Sequence, residues 1–429
     1  MPVIKILGGA REVGRSAILI ESNNKEKIML DYGVRFKEED RLPEKTNLDN
    51  LKAVALTHCH VDHSGALPLL YKNSNLPFYT NPLSLRISEI LLKDMIKISR
   101  YPYPFGYKEL DKLRQSAKFL KIGNRKKISD DFHITFYDAG HIPGSVSILV
   151  EVDGKKIFYT GDMNSQSTNL INPAKSSDIP EIDVLITEST YALKEHPPRD
   201  ETEKEIVDRI VNIIENEGNV LIPAFGVARS QEVLLVLNKY NLKIPIYLDG
   251  LARKICMVYS EFPNAFKDFS MLKKAIKNTQ FAKSRNRMSI IEKGKNIIIS
   301  PSGMLKGGAA VDYVSKMIKD PASAIYLVGY QVEGTPGRKL LDEGIFEFEE
   351  RGYSKSTNSK ALCEVDYFDF SSHADKSNLY EYIKEIKFNN SRYVFCVHGD
   401  EKSTTSLASN LNKEDYNAIA PEPGESYAI

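Results

Sequence analysis

Apolar positions in the first part of this chain fall in short runs closed by Gly, Asn or Asp. Residues 3–7 (Val-Ile-Lys-Ile-Leu), 16–21 and 27–30 each read as a strand, and residues 53–57 (Ala-Val-Ala-Leu-Thr) read as a buried strand that feeds directly into His58. A helical period interrupts them at 84–98. Strand-like runs return at 145–150, 156–160 and 184–187, with Asp162 and Glu188 just past two of them. Polar side chains at strand ends, held by a rigid sheet, are a common catalytic arrangement. From about residue 200 the rhythm lengthens into alternating helices and strands, with helical periodicity at 201–216 and strands at 219–223, 244–248, 296–300 and 324–329. This is the pattern of an open parallel α/β sheet. Short strands resume before Ser371 and at 393–397. With no repeat and no low-complexity linker, the second unit reads as inserted into the first.

A length of 429 residues suits two or three domains rather than one core. The balance of 42% hydrophobic and 27% charged residues is that of a soluble globular protein. No apolar run reaches the ~18 residues of a membrane span, and the start lacks the layout of a signal peptide. A cytoplasmic protein with no membrane partner is expected. Four cysteines with no C-x-x-C pair suggest reduced thiols rather than a disulfide framework. A net charge of +1 neither implies nor excludes a nucleic-acid partner, so any basic surface must be local.

The chemistry concentrates at His58-Cys59-His60-Val61-Asp62-His63, where three of the chain's eight histidines and an aspartate directly follow a strand. Imidazole nitrogen and carboxylate oxygen are standard ligands for Zn²⁺ and similar ions. Alternation sends His58 and His60 to one side, while Asp62 and His63 reach a second position. Cys59 is out of phase and reads as a packing residue, with a thiolate ligand as the lesser alternative. His141, Asp162 and His398 each sit in a loop close after a strand. Singly each is weak, but together they supply enough ligands for two metals.

This ordered set, with Asp31, resembles the metallo-β-lactamase superfamily. The resemblance implies an α/β fold: an αββα sandwich of two sheets between helices, with a dinuclear zinc site at one edge. It implies that His58, His60 and His141 bind one Zn²⁺, that Asp62, His63 and His398 bind the other, and that Asp162 bridges both. Asp31 matches a residue that orients the cluster. Because such sites accept Mn²⁺ as well, the metal is read from ligand chemistry alone.

Further blocks narrow the branch. Glu188 in Thr-Glu-Ser-Thr-Tyr, His373 in Phe-Ser-Ser-His-Ala-Asp, and His398 form an acidic-His-His trio similar to the three signature motifs of the β-CASP nucleases. The stretches 222–232, 300–304 and 329–335 resemble the same family. His398 points to its RNA-processing members rather than to the Artemis-like DNA-repair enzymes. The Ser-Gly-Met and Gly-Tyr-Gln-Val-Glu-Gly-Thr blocks look most like the endonuclease subunit of the eukaryotic cleavage and polyadenylation specificity factor and its archaeal and bacterial relatives, and less like RNase J. KH-type modules, frequent in the archaeal relatives, are expected to be missing.

The domains implied are a metallo-β-lactamase part at 1–190, an inserted β-CASP α/β domain at 191–359 and a metallo-β-lactamase part at 360–429. The activity implied is zinc-dependent hydrolysis of single-stranded RNA to 5′-phosphate and 3′-hydroxyl ends. His373 is the candidate general acid, Glu188 its partner, and Asp62 completes the catalytic set. An endonuclease is the leading expectation, with a 5′-3′ exoribonuclease on the same site or an inactive RNA-binding scaffold as alternatives. Every expected ligand position is filled, which argues against the scaffold. A small-molecule hydrolase would not need the inserted unit. The assembly suggested is a homodimer or a pairing with a β-CASP paralogue.

Outside the metal motifs, Ser302, Gly303 and Met304 suggest a phosphate- or nucleotide-contacting loop, with a plain strand-end loop equally in view. Lys306-Gly307-Gly308 does not complete a Walker A motif. Arg253 and the basic stretch at 273–287, flanked by Phe269 and Phe281, are candidate RNA contacts. For that stretch a solvated helix face is the favoured reading.

Overall fold

Continuous apolar runs arise where a strand is covered on both faces. The computed structural model describes residues 1–35, 41–99, 101–349 and 356–429. In it Ile18 and Ile20 enter one core cluster, while their neighbours Ala17 and Leu19 enter another. The chain divides into two compact units, the first formed by residues 1–167, 171–195 and 372–429 and the second by 168–170 and 196–371.

The first unit contains two seven-stranded sheets. One runs in the order Ser426–Ala428, Val3–Gly8, Ala17–Glu21, Lys27–Leu30, Leu51–Ala55, Phe78–Thr80, Ala117–Phe119. The other runs Asn417–Ile419, Phe388–Val397, Ile182–Glu188, Lys155–Tyr159, Val146–Val152, Phe132–Asp138, Lys126–Lys127. Their facing side chains, among them Ile4, Ile20, Leu30, Phe136, Ile148 and Ile186, form one cluster. On the outer face of the first sheet, Leu92 and Met95 of helix Pro82–Ile98 and Leu110 and Leu113 of helix Tyr107–Gln115 pack against Leu19 and Met29. On the outer face of the second, helices Lys376–Glu385 and Glu401–Asn412 contribute Leu379, Ile383, Leu407 and Leu411. The result is an αββα sandwich. Each fully buried Leu contributes about 2 kcal/mol. Helix Pro82–Ile98 begins where Asn81 accepts a hydrogen bond from the Leu83 N–H at 2.8 Å, a cap worth about 1 kcal/mol.

The second unit is built on a six-stranded sheet whose paired strands are all parallel, in the order Gln280–Phe281, Ile246–Leu248, Ile297–Ser300, Val220–Pro223, Ala324–Leu327, Glu364–Tyr367. Strand Ile297–Ser300 is buried along its whole length, as expected with helices on both faces. A two-stranded antiparallel ribbon, Ile345–Glu349 with Ser356–Lys360, stands apart from this sheet.

The unit borders differ from those read off the sequence at 191 and 360. Strand Glu364–Tyr367 pairs with Ala324–Leu327, and His196 Nδ1 lies 3.1 Å from Asp369 Oδ2, so both ends of the insert extend further along the chain. A three-residue piece at 168–170 also joins the second unit: the buried Glu232 carboxylate accepts hydrogen bonds from Asn169 N (3.0 Å), Asn169 Nδ2 (2.9 Å) and Leu170 N (3.1 Å). The strand expected at 53–57 is observed at Leu51–Ala55, because the Thr57 N–H donates to the Asp31 carboxylate instead of a ladder. Among the described residues no helix is long and apolar enough to cross a membrane.

Candidate metal centre and active site

Every residue of the two expected ligand groups lies in the first unit, at one edge of the paired sheets. Strand Leu51–Ala55 delivers His58, and His60 opens the single turn Val61–Ser64, which carries Asp62 and His63. This turn needs Gly33, since a Cβ there would overlap the Asp62 carbonyl. The second sheet supplies His141 after Phe132–Asp138, Asp162 after Lys155–Tyr159, Glu188 at the end of Ile182–Glu188 and His398 after Phe388–Val397. Gly161, at φ +57°, turns the chain so closely over Thr57 that a Cβ would lie 2.8 Å from its side chain.

Two groups of donor atoms result, each with all members within 4.8 Å of one another: His58, His60, His141 and Asp162, and Asp62, His63, Asp162 and His398. In the first, His58 Nε2 and His60 Nδ1 are 3.1 Å apart, His141 Nε2 and His60 Nδ1 3.3 Å, and His58 Nε2 and Asp162 Oδ2 3.5 Å. In the second, Asp162 Oδ1 is 3.1 Å from both His63 Nε2 and His398 Nδ1, and His398 Nε2 is 3.4 Å from Asp62 Oδ2. Tetrahedral zinc with bonds near 2 Å spaces its ligand atoms by roughly 3.3 Å, so the spacing fits. His63 Nε2 and Asp162 Oδ1 are buried, yet neither meets a hydrogen-bond partner at proper geometry. Buried polar atoms without partners are rare, and two facing one point mark a place for a cation. The residues present therefore fit a divalent metal centre.

Protonation states of three of the histidines agree with that reading. Burial, helped by the neighbouring imidazoles, holds His58 and His141 well below the usual histidine range. Burial lowers His60 to about 4 against the pull of the Asp62 and Asp162 carboxylates. Neutral imidazole is the ligand form. Burial would also lower His63, but the Asp162 and Asp31 carboxylates outweigh it and hold the ring well above its usual value. Burial would raise the Asp162 carboxyl, but the imidazoles of His398, His63 and His373 hold it well below the carboxylate range. This site concentrates negative charge that a metal ion would match. The Cys59 thiol is fully buried and pushed up by burial, as a packing residue should be.

A surrounding layer orients the donors. Asp31, at φ +56° and fully buried, accepts from Thr57 N (2.7 Å), Thr57 Oγ1 (2.8 Å) and Tyr159 OH (3.0 Å), and its Oδ2 lies 2.7 Å from His63 Nδ1. His141 Nδ1 donates to the Ser372 carbonyl at 2.9 Å, which leaves Nε2 as acceptor toward the site. Thr190 Oγ1 lies 3.2 Å from His398 Nδ1 and donates to the His398 carbonyl at 3.1 Å. Thr57, Tyr159 and Thr190 were not singled out from sequence. Their only signal there was adjacency to the motifs, since each acts through space.

The third cluster is Asp162, Glu188 and His373. His373 Nδ1 lies 2.8 and 2.9 Å from the two Glu188 oxygens, and His373 Nε2 lies 3.9 Å from Asp162 Oδ2. The Glu188 carboxylate also accepts the Met163 N–H at 2.6 Å, which ties it to the Asp162 loop. The imidazole thus has one nitrogen engaged by a carboxylate and the other turned toward the metal groups.

Arg253, Ser302, Gly303 and Met304 belong to the second unit. Arg253 donates to the Ala282 carbonyl at 2.6 Å, and the Gly303 carbonyl accepts from Gln331 Nε2 at 2.9 Å. In the basic stretch Arg287 is bound to Asp249 at 2.6 Å and Asp312 at 2.5 Å, a structural use rather than an open phosphate contact.

Comparison with known proteins agrees with this geometry. The metallo-beta-lactamase superfamily matches residues 10–203, the Beta-Casp domain residues 230–340, and the Zn-dependent metallo-hydrolase RNA specificity domain residues 360–421. The chain is 38% identical to a Saccharolobus solfataricus protein named RNase aCSPSF2, over 99% of this chain and 85% of that one. It is 36% identical to the Probable RNase MJ4 of Methanocaldococcus jannaschii, over 98% and 99%. It is 32% identical to the transcription termination factor FttA of Methanothermobacter thermautotrophicus, over 94% of this chain and 68% of that one. A solved Enterococcus faecalis protein of unknown function shares the fold over the full length of both chains, with a TM-score of 0.62 at 13% identity. The chain belongs to the β-CASP family of the metallo-β-lactamase superfamily.

Proposed function

We propose that this protein is a metal-dependent ribonuclease that hydrolyses single-stranded RNA internally, leaving 5′-phosphate and 3′-hydroxyl ends. The carrying observation is the Glu188–His373 pair, in which His373 Nδ1 lies 2.8 Å from a Glu188 oxygen and Nε2 stands 3.9 Å from the carboxylate shared by both donor groups. The names of two relatives, RNase aCSPSF2 and Probable RNase MJ4, support RNA as the substrate class.

His58, His60 and His141 would hold one Zn²⁺, Asp62, His63 and His398 the other, and Asp162 both. Mn²⁺ suits the same donors. Bound ions would supply an activated water and positive charge against the charge that builds on the phosphate. The remaining steps belong to the chain. His373, held at Nδ1 by Glu188, presents Nε2 to the leaving 3′ oxygen and gives it a proton. Asp31 and Thr57 keep His58 and His63 turned so that their Nε2 atoms face the site. The burial of Asp162 and His398 excludes water from the donor side, which strengthens the charge interactions there.

The protein acts in the cytoplasm on this reading, in keeping with four free and buried thiols. Assembly as a homodimer or with a β-CASP paralogue is part of the same proposal, and sedimentation checks it. The decisive experiment incubates zinc-loaded protein with circular RNA and end-labelled linear RNA. A linearised circle establishes internal cutting. An intact circle with a trimmed linear strand makes it a 5′-3′ exonuclease, and intact RNA of both kinds with both metals bound refutes the ribonuclease reading.

A further inference from the structure

The edges of the two sheets in the first unit carry a basic strip that no step above uses. Strand Ala117–Phe119 ends one sheet and strand Lys126–Lys127 ends the other, and the residues between them are connected directly. Residues 118–127 read Lys-Phe-Leu-Lys-Ile-Gly-Asn-Arg-Lys-Lys, with five cations and no acid. All are exposed except Leu120, which is partly buried and packs against the core between the sheets. Arg125 pairs with Glu151 at 2.6 Å and Lys127 with Asp130 at 2.7 Å. Among the described residues Lys118, Lys121 and Lys126 form no ion pair. Lysines on edge strands would be explained as protection against pairing with another chain. That explanation does not cover Phe119, 57% exposed, or Ile122, 42% exposed, which stand among them.

Register places the start of the strip at the catalytic end. In the parallel ladder Ala55 is level with Tyr79, and Tyr79 with Lys118. Ala55 is followed three residues later by His58, so Lys118 and Phe119 leave their sheet at the end where the metal ligands emerge. They stand two strand spacings away, roughly 10 Å. On the other sheet the Gly123 N–H donates to the Phe136 carbonyl at 2.9 Å, close to the end of the strand that leads to His141. The strip therefore starts at the catalytic end and runs from there down the edge of the second sheet, where Lys126 pairs with Ile134 and Lys127 with His133.

We propose that residues 118–127 are a docking strip for single-stranded RNA, with Lys118, Lys121 and Lys126 on successive phosphates and Phe119 stacked on a base. The chemistry is that of a cationic track with an aromatic platform, which binds single strands without sequence preference. The proposal rests on the ribonuclease reading for its biological substrate but not for its test, because binding is measured on the metal-free chain, where no cleavage occurs.

The experiment titrates an oligoribonucleotide of about 20 nucleotides, longer than one single-strand groove, at several salt concentrations. It compares the wild type with the triple variant Lys118→Gln, Lys121→Gln, Lys126→Gln, with Phe119→Ala, and with a charge-matched control, Lys204→Gln, Lys402→Gln, Lys413→Gln. Since each phosphate contact on a single strand contributes about 0.7 to the slope of log K against log salt, the triple variant should flatten that slope by about 2. Phe119→Ala should weaken binding about tenfold with the slope unchanged. The control should match the wild type. If the strip variants also match the wild type, or if the control falls as far as they do, the proposal is overturned. Cleavage by zinc-loaded protein is read separately. Wild type that binds RNA through the strip yet cuts none would refute the ribonuclease reading and leave the strip standing.

Discussion

Tyr159→Phe removes one hydroxyl oxygen and little else. The ring is 1% exposed in the core between the two sheets, and its OH donates to Asp31 Oδ2 at 3.0 Å. Asp31 is completely buried and depends on four donors: Tyr159, two from Thr57, and His63. Loss of a hydrogen bond to a buried charged group costs about 2 kcal/mol, equivalent to roughly thirtyfold faster local opening around the carboxylate. Hydrogen exchange followed by mass spectrometry on the metal-free chain reads this directly, in peptides covering 51–65. A second effect follows along the bond chain. Asp31 holds the ring of His63, so the donor group of Asp62, His63 and His398 should lose metal affinity by about tenfold, the lower end for disrupted ligand support. The group of His58, His60 and His141 should keep its affinity within a factor of about two, since Thr57 still supports His58. A chelator titration then shows one site weakened and one unchanged. Equal exchange rates and an unaltered two-step titration would refute the claim that Tyr159 supports the centre through Asp31. Equal loss at both sites would show general loosening instead of a directed path.

Other outcomes follow from the same geometry. His373→Ala should lower kcat by about 10²-fold or more with the metal content kept; full activity with metal bound would remove His373 from the chemistry. Asp162→Asn should lower metal content at both donor groups as measured by mass spectrometry, because its carboxylate belongs to both. In the metal-free protein His58, His60 and His141 have folded pKa values below the ordinary 6.5, with His60 at about 4. The unfolded chain therefore binds more protons in that range, and these three groups make stability fall as pH drops from 6.5 toward 4. His63, shifted upward, acts in the opposite sense: its stabilisation is full below 6.5 and lost only as pH rises through its raised value. Chemical denaturation across that acidic window should show a net decline from the three lowered histidines, since the contribution of His63 is constant there. Glu232→Gln keeps the shape but weakens three hydrogen bonds to the 168–170 segment, so limited proteolysis there should accelerate, with a cost of about 2 kcal/mol.

The donor clusters were legible because their residues stand out by type and place. His58, His60, Asp62 and His63 crowd one strand end, and His141, Asp162 and His398 each follow another. The sandwich was legible through the motif resemblance, and the burial of both faces of runs such as Ile18-Leu19-Ile20 agrees with it. Other features depend on pairings that one-dimensional patterns do not encode. Tyr159 reads as one more apolar strand residue until Asp31 is found beneath its hydroxyl. Arg287 reads as part of a free basic run, yet two acids claim it. The run at 118–127 gives no hint of its place until the ladder sets Lys118 level with Ala55. The insert's far border moved for the same reason, since only strand pairing assigns residues 364–367 to the second sheet.

His398 faces Asp62 across 336 positions of sequence. The strand before it lies beside Ile182–Glu188, so the central pairing of the second sheet closes only after the whole inserted unit has been made. During synthesis a ribosome exposes His58, His60, Asp62 and His63 long before their last partner. A nascent chain therefore holds an incomplete centre, with the second donor group open and the Glu188–His373 pair unassembled until residue 373 emerges. Chain order acts as a timer: a hydrolase of RNA made beside the message that encodes it gains its full constellation only after the inserted unit has been translated.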